Sequence, residues 1–215
     1  MSEPPFSELR PRRNRVTPFG TLEAIDSRGT LMGNRGDLHG PDGTIRKLHA
    51  GKAWICCTLA ERKGRRVIFD TKGHYTPLFF LDEAVAFAAG HRPCAECRRA
   101  DFLRFKRHFN RATGRPEDDF VPVGAIDALL HRERLDGKAK RLHRADLADL
   151  PDGSFLMADT APQAPLLLWQ DKTYPWSHGG YGAPGALPDR TEVTVLTPPT
   201  LVAILRTGYE IAPRF

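Results

Sequence analysis

Cys94 and Cys97 are separated by two residues, a spacing that brings two sulfurs to one point. Zinc favours four nitrogen or sulfur ligands in tetrahedral array, and a Cys-x-x-Cys turn is a common half-site. This pair opens a helix expected over 95–111, whose positive dipole end favours thiolates. Two more cysteines, Cys56 and Cys57, are adjacent within an expected strand over 53–59. Neighbouring strand residues point to opposite faces, so one faces the metal and the other packs in the core. Cys57 is the preferred ligand. His74, in a turn before the strand that leads to the site, is the preferred fourth donor, with His39, His49 and His91 as alternatives. The expected set is Cys57, His74, Cys94 and Cys97 around Zn2+. A redox reading of Cys-x-x-Cys lacks the flanking strand–turn–helix pattern that it needs.

A second constellation lies further along. Residues 130–144 mix His131 and His143 with Arg132, Arg134, Lys138, Lys140, Arg141 and Arg144. Residues 174–182 place Trp176, His178 and Tyr181 in a glycine-rich stretch read as a flexible loop. Histidines move protons near neutral pH, and arginines hold phosphates. His131, His143 and His178 are therefore the catalytic candidates for phosphodiester or nucleotide processing by acid–base chemistry, provided that they converge. Trp176 and Tyr181 could stack on bases. The plainer alternative is a basic helix end followed by a turn-rich hairpin.

Positive charge is concentrated rather than spread. The net charge is +6. Between 92 and 115 stand Arg92, Arg98, Arg99, Arg104, Lys106, Arg107, Arg111 and Arg115, opposed only by Glu96 and Asp101. This is the electrostatic footprint of a polyanion binder. The expected nucleic-acid contacts are Arg98, Arg99, Arg104, Arg107, Arg111, Arg132, Arg134, Lys138, Lys140, Arg141, Trp176 and Tyr181. DNA is the expected partner before RNA. Composition is that of a globular chain, with 40% hydrophobic and 27% charged residues. No apolar run approaches the roughly 20 residues of a membrane helix, and the N-terminus shows no secretory signal, so a cytoplasmic location without membrane contact is expected. Walker, Rossmann, His-Glu-x-x-His and Gly-x-Ser-x-Gly motifs are absent, which excludes several common enzyme classes.

The elements that must position these residues follow from pattern. Residues 1–20, broken by prolines and charged by Arg10, Arg12, Arg13 and Arg15, read as a flexible basic arm. Glycine-rich turns fill 29–51. Strands are expected over 53–59, 66–69 and 77–81, then a short helix over 83–89 capped by Asp82 and ended by Gly90. In the helix over 95–111, Phe102, Phe105 and Phe109 share one side, and Arg104, Arg107 and Arg111 the other. A boundary near 117 separates a module over 21–117 from a C-terminal domain over 118–215. The latter holds a helix over 124–135, strands over 154–158, 165–169 and 192–196, and a last helix with Thr197 as cap and Pro198 at its first position. The fold class is α+β: a zinc-stabilised N-terminal module of short strands and two helices, then a mixed helix and antiparallel-strand half.

The run Phe79-Phe80-Leu81-Asp82-Glu83-Ala84, continued by Ala89-Gly90-His91-Arg92-Pro93-Cys94-Ala95-Glu96-Cys97-Arg98, resembles the second half of the zinc-binding domain of the Ada DNA-repair family. That resemblance implies zinc on four cysteines, contact with the DNA backbone, and methyl transfer from a phosphotriester onto a metal-bound cysteine. The resemblance covers only this short stretch. The family's first two cysteines are separated by several residues, whereas Cys56 and Cys57 touch. No helix-turn-helix and no Pro-Cys-His-Arg motif follow. Cys94 and Cys97 alone carry over, as metal ligands. The expected function is a zinc-containing nucleic-acid-binding protein in DNA repair or processing. A histidine-based enzyme and a protein-interaction module are the alternatives.

Overall fold

The computed structural model describes residues 13–40, 44–60, 75–158, 164–189 and 191–215. The fold is a mixed α+β arrangement. The first sheet is built from β1 (Arg13–Val16), β2 (Leu22–Ala24), β3 (Leu31–Asn34), β4 (Ile55–Thr58), β5 (Leu78–Phe80) and β6 (Arg92–Pro93), in the order β2-β1-β5-β3-β4-β6. Its pairs are antiparallel except β1 with β5 and β4 with β6, which run parallel. Residues 13–20 therefore differ from the expected arm. Asn14 and Val16 are buried, and β1 pairs on both edges, so hydrogen bonding overrides the loop-like composition. Residues 1–12 and the expected strand over 66–69 lie outside the described residues.

Helix α1 (Glu83–Ala88) is apolar around almost its whole circumference and is buried along its whole length. A helix without a polar face belongs inside a core. Asp82 caps it by accepting from the Val85 N–H at 3.0 Å, and Gly90, at φ +86°, ends it. Helix α2 (Arg99–Ala112) starts later than its sequence pattern indicates, because the residues after Cys94 form a turn first. Phe102, Phe105 and Phe109 are buried on one side of it, as the pattern requires.

Helix α3 (Val123–Arg134) leads into a small hairpin of β7 (Leu135–Asp136) and β8 (Ala139–Lys140). The second sheet holds β9 (His143–Asp146), β10 (Phe155–Met157), β11 (Pro165–Trp169), β12 (Lys172–Ser177), β13 (Gly180–Tyr181) and β14 (Glu192–Val195), in the order β13-β12-β11-β10-β14-β9. All its pairs are antiparallel. The stretch 174–182 is thus a paired hairpin rather than a loop, with Trp176 opposite Tyr181. Helix α4 (Pro199–Arg206) begins with Pro199, one residue later than expected. Thr197 instead accepts the Phe155 N–H through its hydroxyl. No helix among the described residues is long and apolar enough to cross a membrane.

One hydrophobic cluster crosses the boundary expected near 117. Leu22, Phe80 and Phe87 pack in one cluster with Leu130, Phe155 and Ile204. Polar ties cross it too. Arg92 and Asp127, 5% and 9% exposed, form a two-pronged ion pair at 2.7 and 2.9 Å, and Tyr181 donates to Asp82 at 2.8 Å.

Candidate metal centre and a buried cationic group

Strand alternation sorts the two adjacent cysteines. Cys56 faces the main core and is fully buried, while Cys57 faces the other way, opposite Met32. Gly33 opposes Cys56, and a side chain there would collide with the Phe80 ring at 2.5 Å. Parallel pairing of β6 with β4 then delivers the second half of the site, with Cys56 opposite Pro93 and the Cys94 N–H donating to the Cys56 carbonyl at 2.9 Å. The turn that follows returns Cys97 to the same place. The sulfurs of Cys57, Cys94 and Cys97 all lie within 4.8 Å of one another. Thiolates at about 2.3 Å from a tetrahedral ion stand roughly 3.8 Å apart, so this triad could hold a metal ion.

The local electrostatics suit a cation. The Cys57 thiol hydrogen-bonds Cys94, which holds the Cys94 pKa below the ordinary thiol value. Burial opposes this, and the backbone N–H groups of Cys97 and Glu96 assist it. The same bond, and burial after it, push Cys57 upward. Burial also raises Cys97, against a hydrogen bond from the Thr58 backbone. Three thiolates cannot ionise together in this apolar shell of Met32, Ile55, Tyr75 and Phe79 without a positive ion among them. His74, the expected fourth donor, lies outside the described residues; Tyr75 beside it packs against the triad. The other histidine alternatives sit elsewhere. His39 hydrogen-bonds Thr76, His49 packs edge-on to His131, and His91 is fully buried and accepts from Arg35.

Most of the arginines assigned to nucleic acid have protein partners. Arg98 is only 10% exposed in its side chain and binds Glu83 and Asp101, both at 2.9 Å. It is an internal tie between α1 and α2. Arg104 pairs with Asp101 and lies over the Tyr209 ring, Arg111 pairs with Glu117, and Arg141 pairs with Asp136. Arg134 is buried, and Lys140 donates to the Ala88 carbonyl. Tyr181 spends its hydroxyl on Asp82 and its ring on Phe155 and Phe215. The expected cations that remain exposed and without a described acidic partner are Arg99, Arg107, Arg132 and Lys138. Trp176 is half-buried.

The three histidines do not converge. His131 and His143 line one cleft of about 560 Å³ with Arg132, Glu133 and Arg141. His178 is drawn away to Glu23 on β2, 2.8 Å from its Nε2. Burial lowers the pKa of both His131 and His143, with Arg134 adding to the first and Lys140 to the second.

A group that sequence reasoning missed lies at the beginning of β4. Trp54 packs against two buried guanidinium groups, Arg35 at 3.8 Å and Arg134 at 4.4 Å from the ring centre. Arg35 donates to the Gly20 carbonyl and to His91; Arg134 donates to the carbonyls of Gly90 and Lys52. Gly90 must be glycine here, since a Cβ would stand 2.9 Å from the Arg134 side chain. Lys140 adds a third cation, and burial, with Arg35 and Arg134 repelling it, pushes its pKa down to about 7. Among the described residues no carboxylate forms an ion pair with any of the three. An uncompensated buried ion costs several kcal/mol, so this concentration calls for an explanation. Arg35, between Asn34 and Gly36, has the sequence neighbours of an exposed turn residue, and only the tertiary fold reveals its burial.

Fold and site together define a mixed α+β protein with a three-thiol cluster and a separate buried cationic group. No protein-family model, curated protein or solved structure matches this chain.

Proposed function

We propose that this chain is a zinc-containing nucleic-acid-binding protein, with DNA as the preferred partner and repair or processing as its setting. The observation that carries the reading is the Cys57, Cys94 and Cys97 triad. Its soft sulfur donors suit zinc, and His74 would complete the coordination. Zinc held there would clamp β4 to the turn that launches α2. The residues of α2 then present charge from a fixed base: Arg99 and Arg107 are exposed and have no described acidic partner. Arg132 and Lys138 add two further exposed cations. The Ada-like run supports the same reading, because its Cys-x-x-Cys is the part of that module which lies on this triad. Histidine-based phosphodiester cleavage has less support, since His178 pairs with Glu23 away from the cleft of His131 and His143.

The experiment is metal analysis of the purified full-length protein together with gel retardation of labelled single- and double-stranded DNA and RNA over a salt series. The expected outcome is about one zinc per chain, retained DNA, and affinity that falls steeply with salt as counterions are released. Protein without metal, or zinc protein that retains no strand at low salt, would sink the reading. Shortened strands would move the function to the histidine cleft.

A further inference from the structure

A pocket of about 680 Å³ opens beside the buried cationic group. Its wall is drawn from the turn between β1 and β2, from Trp54, from the β7–β8 hairpin and from Trp176 on β12. Arg13, Arg134, Lys138 and Lys140 line it, against one acid, Glu23, which is engaged by His178. Arg35 stands behind Gly20, where a Cβ would come within 3.7 Å of its Nη2.

Four buried N–H donors around this pocket have no acceptor: Arg35 Nη2, Arg134 Nε, Trp54 Nε1 and Trp176 Nε1. Arg35, Arg134 and Trp54 are each 1% exposed. Buried donors are almost always satisfied, and four exceptions around one cavity point to a missing acceptor. An anion suits that position, because three of the groups nearby are cations that form no ion pair with a carboxylate, Asp127 alone acting on Arg134 from a distance. A single carboxylate would leave most of that charge unmatched. A phosphate monoester carries nearly two charges and three acceptor oxygens, enough to take the free Arg134 Nε–H and the Lys138 ammonium together. The rest of the wall includes Phe19, Leu22, Pro165 and the Trp176 indole beside Thr17 and Thr21, and the volume lies in the range of small-molecule sites.

We infer that this pocket binds a nucleoside phosphate, with the phosphate against Arg134, Lys138 and Lys140 and the base against Trp176. The site shares Lys138 with the strand-binding reading but uses neither the thiol triad nor the exposed face of α2, so it goes beyond that reading. The nucleoside phosphate is either a free nucleotide or the phosphorylated end of a strand.

Calorimetric titration of the full-length protein with inorganic phosphate, adenosine and adenosine monophosphate tests this. The monophosphate should bind, inorganic phosphate more weakly, and adenosine at least about tenfold more weakly than the monophosphate. Lys138 is exposed and has no described partner, so Lys138→Glu should leave the circular dichroism spectrum and metal content intact. Lys138→Glu and Trp176→Ala should each weaken the monophosphate about tenfold. No binding of the monophosphate at millimolar concentration overturns the inference, as does equal affinity for adenosine or indifference to both variants. A short oligonucleotide that competes only when 5′-phosphorylated assigns the strand end; failure of both forms to compete assigns the free nucleotide, and either result upholds the pocket. Monophosphate binding in a protein that retains no strand would sink the strand-binding reading and leave this one standing.

Discussion

The two ends of β4 pose opposite problems of charge. At Cys57 the chain gathers three sulfurs, of which Cys94 alone is held towards the thiolate by its neighbours, and all three become anions only if a cation joins them. At Trp54, just before the strand starts, it gathers Arg35, Arg134 and Lys140, cations that form no ion pair with a carboxylate and of which Arg134 alone feels the Asp127 charge. The first cluster can keep Cys57 and Cys97 as neutral thiols when empty, with their hydrogen bonding shared with Cys94. The second cannot shed its guanidinium charge at any ordinary pH. Its cost is borne by backbone carbonyls, by the faces of an indole, and by displacement of the Lys140 proton. An incomplete anionic site therefore waits at little expense, whereas an incomplete cationic site weighs on the stability of the whole fold.

The largest expected effect separates the two cysteines that are neighbours in sequence. Cys57→Ser and Cys94→Ser should each abolish metal retention and destabilise the protein by about 3 kcal/mol or more, roughly 6–12 °C in Tm for a chain of this size. Cys56→Ser should keep the metal and cost about 1–3 kcal/mol, from the hydroxyl buried at a fully enclosed position. Metal analysis and thermal unfolding of the three variants check this. Metal loss in the Cys56 variant alone would break the contrast drawn between the two faces of β4.

The cationic end has a pH signature. Lys140 has its pKa lowered from 10.5 to about 7, so between those values the unfolded chain binds more protons than the folded one. Stability should therefore rise as pH increases from about 7 towards about 10.5, and the penalty should be fully present below 7. Arg35, Arg134, His91 and His143 are the titratable or charged groups coupled to Lys140. Lys140→Met should flatten that rise in denaturant titrations across the pH range. An unaltered profile would show that the ammonium is not strained. The smallest effect belongs to the exposed face of α2. Arg107→Glu should leave stability within about 0.5 kcal/mol and reduce the salt slope of DNA binding by about one to two phosphate contacts.

Local spacing made the triad legible. The two-residue interval between Cys94 and Cys97 and the period-two alternation at Cys56 and Cys57 are short-range facts, and so is the aromatic side of α2. The fate of the arginines was not legible, because their partners lie far along the chain. Arg92 finds Asp127 and Arg134 finds the Gly90 carbonyl, across 35 and 44 residues. A basic segment in sequence thus became a set of internal ties. The hairpin of β12 and β13 was hidden by Pro175 and its glycines, and by the turn before β12. There Gln170 and Asp171 take positive φ without being glycine. His131, His143 and His178 show the same limit: two share a cleft, and Glu23 on the first sheet takes the third.

Helix α1 has a consequence for how the protein breathes. Every side chain from Glu83 to Ala88 is buried, and the helix lies in the core that both halves of the chain share. No local opening can expose its amides to solvent without parting the two sheets from it. The Ala86 N–H donates to the Asp82 carbonyl and the Ala89 N–H to the Val85 carbonyl, and these amides should deuterate only through global unfolding. Their isotope-exchange rates therefore read the total folding free energy directly, with and without metal, and with and without an anion in the pocket.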